Sequence, residues 1–425
     1  MKKYRIFLCL LIMSILFFGV SAQEVSKDDD RKEFHLFCLA SANKFFESGQ
    51  IKNGFNLIDG LLEKEPNLSG YIQQCVAFIA EQCHQREQSD EALKILDHLL
   101  LVYPKCERAR FDRASLYCYK GLFEKALEDC NILINDFPAV ADMWYLGGAA
   151  YYGLSNYEEC IKYETESLSI KPNAQAFSVR GNAYLLLGKV ELAASDFEHG
   201  MKLTFPSKSD YLKLAVSYML MGNYLGSADI YEKVIQLDDS DIGNYVGRIY
   251  SLIKAGMYQQ ASDESEVVIS RFPESSYGYF YKGLSLIMIG KPKSAQEKFS
   301  VAIQKDQSSG YYYAWRGLAN LAIGKNKSSF NDLKKAVRLD GNSSFAYKSR
   351  GLFYMKQEER EKALSDLEKC LSLLPNDDYA KSLKTLAETL QDSELKDIKV
   401  LSLLPDDEIG MQVVDSVINQ VAEQR

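Results

Sequence analysis

The feature that most constrains this sequence is a period of 34 residues. A small residue returns at that spacing, with a single interval of 33, along nine consecutive segments. A fixed period of this length is typical of a helical solenoid, in which each segment is one helical hairpin stacked on its neighbours. The recurring residues are Ala92, Ala126, Cys160, Ala193, Ser227, Ala261, Ala295, Ser329 and Ala363.

Each period also carries a turn and a stop. Five residues before the small position the chain often has glycine, which enters the left-handed backbone region without steric cost and so reverses the chain. Twelve residues after it proline often follows, and proline ends a helix because it lacks an amide proton. The glycines are Gly121, Gly188, Gly222, Gly256, Gly290 and Gly324, and the prolines are Pro104, Pro138, Pro172, Pro273 and Pro375.

Two further positions indicate how the helices of a hairpin pack. A small residue lies seven positions before the glycine turn, as in Gly148 and Gly283, and lets the two backbones approach closely. Four residues after the small position of the second helix stands a residue that is usually large and apolar. Glu164 and Ser265 are the exceptions.

These motifs resemble the tetratricopeptide repeat family. One segment carries Trp144, Gly147, Gly148, Tyr151, Cys160 and Pro172 at the spacing of that family. The resemblance implies an all-α, right-handed superhelical solenoid of about ten helix-turn-helix repeats over residues 35–377. It also implies a non-catalytic scaffold that binds a protein or peptide in a concave groove.

The two ends of the chain lie outside this pattern. Residues 1–22 have a basic start, an apolar run and small residues before Gln23, which predicts a signal peptide. Residues 23–34 form a short linker, residues 378–391 a capping helix, and residues 392–425 an extension with an amphipathic helix. We therefore expect a periplasmic or secreted protein with no membrane segment once the signal is removed.

Charge and cysteine content narrow the partners. Removing residues 1–22 takes away three positive charges and no negative one, which changes the formal net charge from −8 to −11. With no basic stripe to reverse this locally, nucleic acid is not expected as a partner. The eight remaining cysteines follow no disulfide framework, so mostly free thiols are favoured while single disulfides stay open.

A charge pair recurs across the hairpins. A basic residue precedes the small position of the first helix, and an acid follows 16 residues later in five of six cases. Lys282 is the exception, since Lys298 stands at the acid position. We predict structural ion pairs that set the register of the hairpins: Arg113–Asp129, Arg180–Asp196, Arg248–Glu264, Arg316–Asp332 and Arg350–Asp366.

No catalytic constellation is visible. The chain has four histidines, none of which pairs with another at a metal-ligand spacing, and it contains no HExxH or CxxC motif. We therefore expect no enzyme activity, no metal and no cofactor.

Binding residues follow from the family resemblance, which implies a groove lined by the first helices of the repeats. The aromatic residues at the groove positions are Tyr145, Tyr152, Tyr250, Tyr277, Phe280 and Tyr311. Packing between repeats is the other role open to such side chains. Two further functions stay open: self-assembly through the C-terminal helix, with a homo-oligomer as the result, and binding of a glycan or small molecule by the aromatic repeats.

Overall fold

A computed structural model describes residues 40–390, except residue 47, residues 65–68 and residues 86 and 87, together with Glu394. These residues form helices and turns without a strand, which confirms the all-α prediction. After a short helical stretch at residues 40–46 we number the helices α1 to α20. They are α1 (Ile51–Lys64), α2 (Ser69–Gln85), α3 (Ser89–Val102), α4 (Glu107–Tyr119), α5 (Phe123–Asp136), α6 (Ala141–Gly153), α7 (Tyr157–Ile170), α8 (Ala174–Leu186), α9 (Val190–Leu203), α10 (Lys208–Leu220), α11 (Tyr224–Leu237), α12 (Ile242–Lys254), α13 (Tyr258–Arg271), α14 (Ser276–Met288), α15 (Pro292–Lys305), α16 (Gly310–Ala322), α17 (Asn326–Leu339), α18 (Ser344–Lys356), α19 (Arg360–Leu373) and α20 (Asp378–Thr389).

The helices form successive pairs. From Glu107 to Leu373 each pair has a first helix of 13 residues and a second helix of 14. The first helices of these pairs begin at the residues where the 34-residue period places a repeat start, from Glu107 to Ser344. We call α5, α7, α9, α11, α13, α15, α17 and α19 the outer helices.

The turn inside each pair uses the left-handed backbone region. The predicted glycines have φ between 70° and 84°. Ser155 and Glu358 occupy the same turn position in the two pairs without glycine, with φ of 59° and 62°. An L-residue pays a steric cost there, which explains why glycine is used in the other turns.

Small residues in the first helices allow close contact with the second helices. A Cβ atom added at Gly283 would lie 2.7 Å from the ring of Phe299. One added at Gly317 would lie 2.7 Å from Leu333. The backbones in these pairs are therefore as close as the small residues permit.

Side-chain caps fix the starts of several first helices. Ser207 and Asp210 form a reciprocal capping box at the start of α10. Ser275, Ser309 and Ser343 accept backbone N–H groups at the starts of α14, α16 and α18. These caps satisfy amide groups that the helix itself leaves without a partner.

Helix α20 closes the stack on α19. Asp377 caps its first turn by accepting the Ala380 amide at 2.8 Å, and it also accepts a hydrogen bond from Lys348 Nζ at 2.7 Å. Both side chains of this ion pair are buried. Since a buried charge is stable only with a partner, the pair ties α20 to α18.

The chain divides into two compact units, the first ending at Ala183 and the second beginning at Tyr184, inside α8. Each unit has its own apolar core. None of the described helices has the length and apolar character needed to cross a membrane. The predicted signal peptide, the linker and the C-terminal amphipathic helix lie outside the described residues.

Candidate functional site

The six predicted groove residues divide by exposure. Tyr277 has 46% of its surface exposed, and Tyr145 and Tyr311 are half-buried. The side chains of Tyr152, Tyr250 and Phe280 are buried, with Phe280 only 1% exposed. These three side chains therefore serve packing, and the ligand-contact role predicted for them is corrected.

Phe280 is buried because neighbouring first helices pack their aromatic rings together. Its ring stacks on Tyr312 with centroids 4.7 Å apart and lies 5.6 Å from Tyr311. Beyond them, Tyr311 and Trp315 contact Phe345 at 4.9 and 5.1 Å. We call this set, Phe280, Tyr311, Tyr312, Trp315 and Phe345, the aromatic column. It joins α14, α16 and α18, and such ring pairs add to the stabilisation from burial.

Tyr281 lies inside the same region without a hydrogen-bond partner. Its side chain is buried, and its hydroxyl contacts no donor or acceptor of the described residues. Burial, together with the neighbouring tyrosines Tyr311, Tyr312, Tyr250 and Tyr277, raises the pKa of Tyr281 well above its usual value. Trp315 Nε1 is a second buried donor without a partner. Unpaired buried donors are rare and costly, which marks this region as chemically unusual.

Tyr277 stands at the exposed edge of this region. Its backbone amide donates to Ser275 Oγ at 3.3 Å, which fixes the first turn of α14. Next to it, Ser276 Oγ and the Tyr312 hydroxyl share a hydrogen bond of 3.0 Å. Burial raises the pKa of Tyr312 to about 12, so this hydroxyl is neutral at physiological pH. The edge thus offers an exposed ring beside neutral hydroxyl groups.

The predicted charge pairs occur as contacts in both units. Arg113 binds Asp129 through two hydrogen bonds of 2.8 Å, from Nε and Nη2. Its third nitrogen, Nη1, donates at 2.8 Å to Asp97, on the second helix of the preceding pair. The hydrogen bond to Asp129 raises the pKa of Arg113. One guanidinium therefore bridges two successive hairpins.

The same arrangement recurs in the second unit. Arg316 binds Asp332 at 2.9 and 2.7 Å, and Arg350 binds Asp366 at 2.7 and 2.8 Å. Arg248 contacts Glu264 at 3.2 Å and, on the preceding second helix, Glu232 at 3.1 Å. Since these acids are already occupied by arginine, the row of arginines is not free to bind an anionic ligand.

Two members of the series differ. Lys282, which has no acid 16 residues later, turns back and donates to Ser262 O at 2.9 Å and to Glu266 at 3.1 Å. Arg180 donates to Thr165 Oγ1 at 3.0 Å in the first unit, and Asp196 is buried in the second.

A buried acid in the first unit was not predicted as a special site. Glu164 stands at the position that is usually large and apolar, its side chain is buried, and neither carboxyl oxygen has a hydrogen-bond partner. Burial raises the pKa of Glu164 well above its usual value, against an opposing effect of the Arg180 charge. Gly148 faces it, and a side chain there would collide with the carboxyl. The sequence signal was the break in the apolar pattern at this position.

Cysteine and histidine side chains show packing roles. Cys106, Cys118, Cys130, Cys160 and Cys370 are free thiols, and four of them are buried. His98 stacks on Phe55 with ring centroids 3.8 Å apart. Within the described residues no three His, Cys, Asp or Glu side chains are placed to hold a metal ion.

Two stretches of the sequence match the tetratricopeptide repeat family, residues 211–240 and residues 346–377. They fall on α10 with α11 and on α18 with α19, which are two of the helix pairs described above. This chain is a tetratricopeptide-repeat protein. The fold of such repeats is generally a non-catalytic scaffold that binds proteins or peptides.

Individual relatives match only in part. DnaJ homolog subfamily C member 3 of Gallus gallus is 25% identical over 91 residues, which are 21% of this chain and 18% of that protein. A thermophilic tetratricopeptide-repeat protein of Thermus thermophilus is 17% identical, with a TM-score of 0.40, over 43% of this chain and all of its own. The C-terminal part of a repeat protein from Cytophaga hutchinsonii is 18% identical, with a TM-score of 0.41, over 56% of this chain and 97% of its own. With TM-scores below 0.5, neither structure is a template for how the helices of this chain are arranged.

Proposed function

We propose that this chain is a non-catalytic scaffold that binds a protein or peptide partner outside the cytoplasm. The contact surface is the edge of the tyrosine-rich helices α14 and α16, where Tyr277 is exposed and Tyr311 is half-buried. The partner is a peptide segment that places an apolar side chain against these rings.

The observation that carries this proposal is the position of Tyr277. It is the only large aromatic side chain of α14 with a well-exposed ring, and it adjoins the rigid aromatic column. Tyrosine combines apolar area with a polar tip at low entropic cost, which is why it is enriched where proteins bind partners. A ring held by a packed neighbourhood loses little freedom on binding.

The chemistry of the surroundings favours a peptide over a charged small molecule. The hydroxyl groups at this edge are neutral, and no ionised side chain belongs to the aromatic column. The buried donors Tyr281 Oη and Trp315 Nε1 can pair with backbone carbonyl groups if the edge opens. Trp315 and Tyr312 are themselves buried, so they offer no flat face for stacking a sugar ring.

The location outside the cytoplasm rests on the first 22 residues, whose basic start, apolar run and small residues before Gln23 are typical of an export signal. The absence of catalysis rests on the sequence, which carries no recognised catalytic motif.

The test compares two exposed tyrosines. Peptides selected from a random library on the full chain should bind Tyr277→Ala at least tenfold more weakly, since a central aromatic contact typically contributes more than about 1.4 kcal/mol. Tyr119, which is 72% exposed on α4, gives the matched control Tyr119→Ala, for which the affinity should not change. Equal affinity for the wild type and Tyr277→Ala would refute this contact surface.

A further inference from the structure

Two neighbouring outer helices carry unpaired positive charge. Six exposed basic side chains lie on α15 and α17 and in the turns before them, and none forms an ion pair within the described residues. This corrects the expectation that no basic stripe exists in this acidic chain. We call these residues the basic set: Lys291, Lys293, Lys325, Lys327, Lys334 and Arg338.

Two outer helices of the first unit carry the opposite charge. Five exposed acids on α5 and α7 make no ion pair or side-chain hydrogen bond within the described residues. We call them the acidic set: Glu124, Glu128, Asp136, Glu158 and Glu166. Glu124 and Glu128 are one turn apart and so share a helix face.

The two sets occupy corresponding positions. The second residue of the outer helix is Glu124 in α5 and Glu158 in α7, whereas it is Lys293 in α15 and Lys327 in α17. Within each set the two helices begin 34 residues apart in the chain. Because the hairpins have the same helix lengths, two acidic helices and two basic helices present their charges at matching intervals.

We infer that the chain self-associates, with α15 and α17 of one copy lying against α5 and α7 of a second copy. The complementary charge and the matching spacing of the two sets identify the second copy as the partner of the basic set. The two surfaces differ, so the contact is heterologous. Each added copy keeps one free acidic set and one free basic set, and assembly proceeds into rows unless a ring closes.

Such a contact depends strongly on salt. Both sets are exposed to solvent, and the screening length falls from about 30 Å at 0.01 M salt to about 8 Å at 0.15 M. Charge complementarity of this kind mainly steers encounters and selects the partner. We therefore expect association that grows with protein concentration at low salt and disappears at high salt.

The experiment is sedimentation velocity of the full chain, with two charge-reversal variants. One variant carries Lys293→Glu, Lys327→Glu and Lys334→Glu, and the other carries Glu124→Lys, Glu128→Lys and Glu158→Lys. In about 0.01 M salt the wild type should reach at least twice the monomer mass, whereas each variant alone stays monomeric. An equal mixture of the two variants should associate again, which a folding defect could not produce.

A matched control changes the same amount of charge elsewhere. Lys52, Lys189 and Lys202 are exposed and lie outside the basic set, so Lys52→Glu, Lys189→Glu and Lys202→Glu together should leave the association intact. A wild type that stays monomeric at low salt would overturn the inference, as would a mixture of variants that does not associate. Binding of a monomeric wild type to vesicles of anionic phospholipid would also overturn it and assign the basic set to a lipid surface.

Discussion

The hairpins α6–α7 and α14–α15 share a backbone plan and differ in what fills it. In both, a glycine of the first helix faces one side chain of the second helix: Gly148 faces Glu164, and Gly283 faces Phe299. Phe299 is fully buried among aromatic rings, with Phe280 at 5.7 Å and Trp315 at 6.4 Å between centroids. Glu164 is equally buried and has no hydrogen-bond partner.

This difference separates what determines the fold from what determines local stability. The glycine, the helix lengths and the turn are enough to form a hairpin, because both pairs adopt it. The side chain at the facing position then sets how stable the hairpin is, since an apolar ring gains free energy on burial and an unpaired carboxyl loses it. We expect the two hairpins to respond in opposite directions when this side chain is changed.

The two tryptophans of the chain report the two hairpins separately. Trp144 lies in α6 and packs against Tyr163 of α7 at 5.2 Å, and Trp315 stacks on Phe299. In a Trp144→Phe background fluorescence follows the aromatic column, and in a Trp315→Phe background it follows the hairpin of Glu164. Separate reporters are needed because repeat arrays do not always unfold as one cooperative unit.

The largest effect is expected when the chemistry of Glu164 is placed in the other hairpin. Phe299→Glu removes a buried ring and buries a carboxyl without a partner, so we expect the free energy of unfolding to fall by at least about 4 kcal/mol. Urea unfolding followed through Trp315 measures this change. A loss below about 1 kcal/mol would show that the facing position does not control hairpin stability.

The reverse change should stabilise the other hairpin. Glu164→Leu replaces a buried unpaired carboxyl with an apolar side chain of the kind found at this position in other repeats, as in Leu333 and Leu367. We expect a gain of about 1–3 kcal/mol in the free energy of unfolding, measured through Trp144. A loss would indicate that Glu164 has a favourable interaction in the folded state.

The stability of the wild type should depend on pH through Glu164. The folded state keeps its proton, because burial raises the pKa of Glu164, while the unfolded carboxyl loses it near about pH 4.3. Stability is therefore highest below that pH and falls as pH rises toward the folded pKa. Relative to Glu164→Gln, the wild type should lose stability between about pH 5 and pH 8. Glu166→Gln, at an exposed position of the same helix, is the control and should show no such trend.

The smallest effect concerns the missing ion pair of the aromatic hairpin. Lys282 finds Lys298 where the other hairpins have an acid, so Lys298→Glu would supply the partner. We expect a gain of roughly 0–1 kcal/mol, since partly exposed pairs contribute little. Thermal unfolding through Trp315 should show a slightly higher midpoint that returns to the wild-type value at high salt. A lower midpoint would contradict the pairing rule.

Much of the fold was predictable because the period constrains the backbone directly. A glycine at a fixed distance before a small residue places the turn, and φ at Gly121, Gly188 and the later turn glycines follows the prediction. The first helices from Glu107 to Ser344 begin where the spacing placed them. Local pattern was sufficient here because each hairpin repeats the same short-range contacts.

The candidate site was less predictable because exposure depends on contacts between repeats. The spacing places Phe280 and Tyr277 on the same helix, yet only packing against Tyr312 decides that Phe280 is buried and Tyr277 is not. The basic set was missed for a related reason. The overall negative charge hides a local excess, which becomes visible only when ion pairs remove Lys305 and Arg316 from the count of free cations.

The most direct test of the binding surface is site-specific photocrosslinking of the full chain. A photoreactive phenylalanine analogue replaces Tyr277 in one variant and Tyr119 in another, and each is irradiated in the native envelope or secreted fraction. We expect one discrete crosslinked protein partner from position 277 and none from position 119. No crosslink at position 277, or the same products at both positions, would contradict the assignment of the tyrosine-rich edge as the partner site.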